Sequence, residues 1–182
     1  MAEAVELTTD RLVLRQWRPE DLEPFVAMNA DSQVMEHFAA PLPRVESELF
    51  LARIRGAWER DGFGLWAVER QADGAWLGMT GLAAPTFEAA FTPCVEVGWR
   101  FPVSAWGHGY ATEAARAAVA FGFGTLGLDE ILSWTTVANQ RSRAVMERIG
   151  MTHDPADDFD HPRFPEGHRV RRHVLYRLAR PA

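Results

Sequence analysis

One stretch constrains this chain more than any other. A strand-like run from Val95 to Phe101 passes through Pro102-Val103-Ser104-Ala105 into Trp106-Gly107-His108-Gly109-Tyr110-Ala111-Thr112, and an Ala-rich helix follows, ending near Gly124 or Gly127. Glycines at a strand-to-helix handover allow unusual backbone angles and let a ligand come close to the main chain. The first turn of a helix has amides without intrahelical partners, and the helix dipole adds positive character there, so the segment reads as an anion site. A plain turn would use the same two glycines, and the remaining sequence has to decide between the two. No Gly-Lys-Ser/Thr follows, which excludes a Walker A loop. Thr112 stands where the third glycine of a dinucleotide fingerprint would fall, and the elements before it read as antiparallel strands.

Hydrophobic periodicity gives the elements around this segment. Arg11 to Arg15 is a short strand. Pro19-Glu20-Asp21 makes a good first helical turn, and Leu22, Phe25, Val26 and Asn29 share a face of the helix that follows. Residues 31–43 are irregular. A second helix runs from about Arg44 to Glu59, and Asp61-Gly62-Phe63-Gly64 breaks it. Strands are expected at Leu65–Arg70 and Trp76–Ala84, joined by the turn Gln71 to Ala75, and again at Val95–Phe101 and Ile131–Val137. A helix from Asn139 to Ile149 closes at Gly150. Met151–His153 and His173–Leu178 are the last strands. The order βααβββαβαββ predicts one mixed α/β (α+β) domain over residues 1–182. Trp58, Trp66 and Trp76 are expected in its core.

The net charge of −6 argues against the broad basic face that nucleic acid requires. A single cysteine, Cys94, leaves no intrachain disulfide and suits a reducing cytoplasm. The acidic start, Met1 to Glu6, has no signal-peptide pattern, and the apolar run Ala114–Phe123 is too short for a bilayer, so no membrane partner is expected. Four histidines lie between His153 and His173 among acidic residues, but their spacing fits no standard ligand set, and no metal is expected.

A second polar element supports the anion-site reading. Asn139 starts a helix just past a strand, where its ordinary role is to cap the first turn. Ser142 falls one turn later on the same face. The segments Glu96-Val97-Gly98-Trp99, Trp106 to Ala114, and Asn139-x-x-Ser142-x-x-Val145-Met146-Glu147-x-x-Gly150-Met151 together resemble the GNAT superfamily of N-acetyltransferases. They are most similar to its branch of ribosomal-protein N-terminal acetyltransferases of the RimJ/RimL type. The likeness covers nearly the whole chain, from Thr9-Asp10-Arg11-Leu12 onward.

The resemblance implies a central, mostly antiparallel sheet with helices on both faces, in which the strand at Val95–Phe101 splays from that at Ile131–Val137. It implies acetyl-CoA as co-substrate. Backbone groups of Trp99, Phe101 and Val103 would meet the pantetheine amides, and the amides of Trp106, Gly107, His108, Gly109, Tyr110, Ala111 and Thr112 would hold the pyrophosphate. Asn139 and Ser142 would face the pantetheine and the sulfur. The implied chemistry is direct acetyl transfer to a primary amine in a ternary complex: a backbone N–H near Val97 to Trp99 stabilises the oxyanion, Ser142 assists the leaving sulfur, and Glu96 is the base. The resemblance also implies a monomer or homodimer. An arginine-paired acid remains the ordinary alternative for Glu96.

Two departures stand out. Ser104 replaces the usual Gln/Arg at the head of the phosphate loop, and Met146 stands where many relatives carry an acidic tyrosine. They leave room for a silent acyl-CoA sensor beside the enzyme. A protein N-terminus and a small amine or antibiotic are both open as acceptors. His161, Arg163, His168 and the cluster Arg169, Arg171, Arg172 lie in a loop that borders the acceptor cleft in that family.

Overall fold

The computed structural model describes residues 5–181; the first four residues of the acidic start and residue 182 lie outside them. The chain runs β1 (Leu7–Thr8), β2 (Leu12–Arg15), α1 (Leu22–Ala30), α2 (Arg44–Asp61), β3 (Leu65–Arg70), β4 (Trp76–Ala83), β5 (Glu96–Arg100), α3 (Tyr110–Gly124), β6 (Glu130–Thr136), α4 (Gln140–Arg148), β7 (Thr152–His153), β8 (Phe159–Asp160) and β9 (Arg172–Ala179). Short 3-10 turns at Pro19–Asp21, Val103–Ala105 and Pro155–Asp157 lie between them. Every long element expected from periodicity is present. The sequence order missed β1 and β8, each two residues long and too short to show alternation.

The strands form one mixed sheet in the order β1-β2-β3-β4-β5-β6-β9-β7, with β8 also on β9. All pairings are antiparallel except β5 with β6. One face packs under α3 and α4 through Leu14, Trp66, Leu82, Val97, Ile131 and Tyr176. The other packs under α1 and α2 through Phe25, Met28, Leu51, Ile54, Ala67 and Met79. The three tryptophans expected to form one core set divide between these layers. Trp66 meets Trp58 edge-on at 4.9 Å on the α3 side, whereas Trp76 pairs with Trp17 at 6.4 Å on the other.

An ion pair ties the two halves of the N-terminal region together. Arg15 is 3% exposed and donates to both oxygens of Asp21 at 2.7 and 2.8 Å and to Glu69 at 2.6 Å. That network fixes β2 and β3 to the 3-10 turn that leads into α1. Breaking such a buried pair leaves an uncompensated charge, which costs roughly 3–5 kcal/mol.

Candidate functional site

The site begins where the sheet comes apart. β5 and β6 pair at one position only, Glu96 with Leu132. Leu132 donates its amide to Val95 O at 2.9 Å, and a parallel pair engages the residues on both sides of its partner, so Val97 is the last amide of β5 in the ladder. The next contact is a side chain: Ser133 Oγ donates to Val97 O at 2.8 Å. A hydroxyl thus occupies the carbonyl that a continuing ladder would have bonded to an amide of β6. Alternation then turns the main-chain groups of Trp99 toward the gap, with no strand opposite. The Phe101 carbonyl already accepts Trp106 Nε1 at 2.8 Å, which leaves only its amide for a ligand.

The gap opens toward the glycine loop. Gly107 and Gly109 have φ of 78° and 79°, in the left-handed region where a Cβ is strained. The amide of Trp106 bonds Val103 O and that of Glu113 bonds Gly109 O, and the amides of residues 107–112 between them have no partner among the described residues. Six consecutive free N–H groups at the start of a 15-residue helix make an anion cradle.

The cradle is braced by residues the sequence reading passed over. Arg11 Nη1 donates to His108 O at 3.0 Å, and Arg11 Nε donates to Glu113 at 2.7 Å. Thr9 Oγ1 also donates to Glu113, at 2.6 Å. The Glu113 carboxyl is held below its ordinary value by these donors against the opposing effect of burial. Arg11, Arg116 and Arg148 line a cavity of about 890 Å³ together with Gly107, Gly109 and Thr112. Three arginines beside free amides make that cavity suit a phosphate-rich ligand despite the acidic chain. Arg11 and Arg148 lie far apart in sequence from the loop, so spacing gave no signal for them. Ser104 is exposed, on the 3-10 turn before the loop.

On the far side of the gap, Asn139 caps α4, accepting from the Ser142 amide at 3.2 Å while its Nδ2 donates to Thr135 Oγ1 at 2.9 Å. The Asn139 amide thus ties the first turn of α4 to the end of β6. The Ser142 hydroxyl has no hydrogen-bond partner among the described residues, and Met146 lies buried one turn on. Tyr176 anchors α4 from below, accepting from Arg143 at 3.2 Å and donating to Glu147 at 3.0 Å.

Glu96 faces the α1–α2 side of the sheet, opposite Val97. It is partly accessible, and its carboxylate makes neither a hydrogen bond nor an ion pair among the described residues. The arginine-paired alternative is thus not what the fold builds. Burial pushes the carboxyl up to about 8, and only the charge of Arg163 pulls the other way. A carboxyl of this kind, poised near neutral pH where β5 and β6 part, suits a proton acceptor.

Residues 31–43 and the loop before β9 meet each other. Arg169 donates to the carbonyls of Glu36, Phe38 and Ala39 at 2.6, 2.5 and 3.2 Å, clamping residues 31–43. Arg171 and Arg172 both approach Asp160. The basic cluster is therefore an inward clamp and an ion-paired strand end. His161 is buried among Phe87, Phe159, Phe164 and His173, and its imidazole is pushed down to about 4 by burial and the neighbouring His173. Arg163 donates to Thr86 Oγ1 and lies beside Phe87. Among the described residues, no helix is long and apolar enough to cross a membrane.

Residues 11–152 match the family model described as an acetyltransferase (GNAT) domain. The chain is similar to an FsC-acetyl coenzyme A-N(2)-transacetylase from Aspergillus fumigatus, 36% identical over 154 residues that cover 81% of this chain. It spans 65% of that relative's length. Its structure is similar to that of an acetyltransferase from Agrobacterium tumefaciens, with a TM-score of 0.81 at 26% identity over 99% of this chain and 97% of the other. It also shares its fold with a spermidine N-acetyltransferase from Vibrio cholerae solved with CoA and spermine, with a TM-score of 0.73 at 16% identity over 94% and 96% of the two chains.

Proposed function

The chain belongs to the GNAT acetyltransferase family, and from that premise we propose that it transfers the acetyl group of acetyl-CoA to a primary amine by direct attack within a ternary complex. The observation that carries this reading is the run of six unpartnered amides at 107–112, opening from the end of the gap between β5 and β6. That arrangement suits a ligand with a diphosphate at one end and an extended amide-bearing arm at the other. The N(2)-transacetylase among the relatives supports nitrogen as the accepting atom.

In this reading the arm lies along β5, with Trp99 and Val103 offering main-chain groups and the Phe101 amide a donor. The Trp99 amide, the first in β5 beyond the ladder, donates to the thioester oxygen and stabilises the negative charge that develops there; one such donor contributes about 3–4 kcal/mol. Glu96 removes a proton from the amine, directly or through one water. The amine nitrogen forms the new bond to the carbonyl carbon, and the carbon–sulfur bond breaks as the tetrahedral intermediate collapses. The Ser142 hydroxyl donates to the departing sulfur. Because a thiol has a pKa of about 8.5, this modest help suffices without the phenol that Met146 replaces. Asn139 keeps Ser142 in place through the helix cap. The acceptor class is an α-amine of a peptide, such as a ribosomal-protein N-terminus, or of a small molecule.

Titration calorimetry with acetyl-CoA, ATP and NAD, followed by thiol release with a panel of amines, tests the reading. Micromolar or tighter binding of acetyl-CoA alone and amine-dependent release of CoA are expected. Equal binding of ATP or NAD would contradict it, and binding without release under any amine would indicate a sensor instead.

A further inference from the structure

Two steps along β5 from Glu96, on the same face of the sheet, lies Arg100. Its side chain runs deep into the protein between α1, α2 and the 31–43 loop. Nη1 donates to Asn29 Oδ1 at 2.6 Å, and the rings of Phe38 and Phe50 stand 4.2 and 5.4 Å from the guanidinium carbon. No carboxylate lies within ion-pair distance of Arg100 among the described residues, although eleven other arginines and two histidines have one. Nε is enclosed without any partner, and Nη2 makes no hydrogen bond. Burial lowers this guanidinium to about 10.

A largely buried cation without a counter-charge is costly, and an anionic ligand that reaches it would recover part of that cost. Nη2, which is unbonded and not enclosed, is the group that can donate to a ligand carboxylate, a charge-assisted hydrogen bond. Between Arg100 and Glu96 on this face lies Gly98, where an added Cβ would meet nothing within 4 Å. The strip therefore has an acid at one end, an open floor, and an unpaired guanidinium at the other. Asn29 is itself held, with Nδ2 donating to buried Ser47 at 3.3 Å, so Arg100 is aimed by a fixed partner.

We propose that the acceptor amine carries a carboxylate and that Arg100 binds it, while the amine is placed at Glu96. The substrate class is thus an amino acid or an amine-bearing acid, with the two groups separated by up to the length of this strip. Four residues of strand span roughly 13 Å between Cα atoms, and the two side chains shorten the usable distance. The inference rests on the acetyl-transfer reading for the identity of the amine, and on Arg100 alone for the carboxylate.

The test uses amino acids of increasing amine-to-carboxylate spacing, each beside its carboxamide. Two quantities are read: kcat/KM for CoA release, and direct binding of each compound to the CoA-loaded protein by calorimetry. A 10- to 100-fold preference for the carboxylate is expected for at least one spacing. Arg100→Gln should reduce it to within about threefold, because the positive charge and its free donor are lost. Asn29→Asp should do the same with Arg100 intact, since it supplies an internal counter-charge, and it keeps the test open if Arg100→Gln fails to fold. The proposal is overturned if the wild-type protein treats acid and amide alike at every spacing, or if the preference survives in a folded Arg100→Gln or in Asn29→Asp. Should no amine release CoA, the transfer reading fails, but the binding arm still decides the role of Arg100.

Discussion

Replacing Glu96 with Gln should make the protein more stable and less active, and the gain in stability should depend on pH. Burial raises this carboxyl from 4.5 in the unfolded chain to about 8 in the fold. For an acid shifted upward, folding holds the proton more tightly, so the ionisable group destabilises the fold as pH rises above 4.5. The effect grows until pH passes 8 and is then constant. At about 1.4 kcal/mol per pH unit, the destabilisation is roughly 1 kcal/mol at pH 5 and up to about 5 kcal/mol at pH 9. Some solvent reaches the side chain, so about half that range is a realistic expectation, or ~2 kcal/mol between the two pH values. Gln has the same shape and no charge, and removes the whole dependence. Urea unfolding of both proteins at pH 5, 7 and 9 reads it directly. The same variant should lose at least tenfold in turnover, and the rise of wild-type kcat/KM with pH, centred near 8, should flatten. A stability difference that does not change with pH would refute the assignment of a buried, unpaired carboxyl, and an unchanged pH–rate profile would refute its part as base.

Other perturbations separate the parts of the site. Ser142→Ala should lower turnover about tenfold at saturating acetyl-CoA while leaving acetyl-CoA affinity within about threefold; equal turnover in a rapid thiol assay would remove Ser142 from the chemistry. Gly109→Ala places a Cβ at φ 79° and disturbs the cradle, so acetyl-CoA should bind at least tenfold more weakly by calorimetry, with helix content by circular dichroism unchanged. Asp21→Ala leaves Arg15 only Glu69 as a carboxylate partner and should cost about 3 kcal/mol in urea unfolding; a loss under 1 kcal/mol would mean the pair is not buried as described.

Much of this architecture is legible in the sequence because its long elements are regular. The helices at Arg44–Asp61 and Tyr110–Gly124 and the strands from Leu65 to Arg100 carry clean periodicities or glycine breaks, and they fall within a residue or two of where these signals put them. The glycine loop and Asn139 are likewise visible, since a left-handed turn and a helix cap each demand particular residue types close together. What periodicity cannot show is a contact made across the fold. The wedge from Ser133 to Val97 O joins residues 36 apart, and Arg11 reaches a loop 97 residues away. Arg100 carried no signal in the sequence, yet Asn29 of α1 and Phe38 of the 31–43 loop close on it. The basic group at Arg169–Arg172 shows the reverse case: its charge looked available, and carbonyls and Asp160 occupy it. Asn139 is visible as a helix cap, but its second bond, from Nδ2 to Thr135, is not.

The amides of residues 107–112 and of Trp99 give the most direct test of how this chain holds its donor. Hydrogen exchange resolved to single amides, measured with and without acetyl-CoA, reports them one by one. Without partners, these groups should exchange fast in the free protein and slow by at least tenfold when acetyl-CoA is bound, more than amides elsewhere on α3. Unchanged exchange at 107–112, with protection appearing at some other surface under saturating acetyl-CoA, would contradict the account.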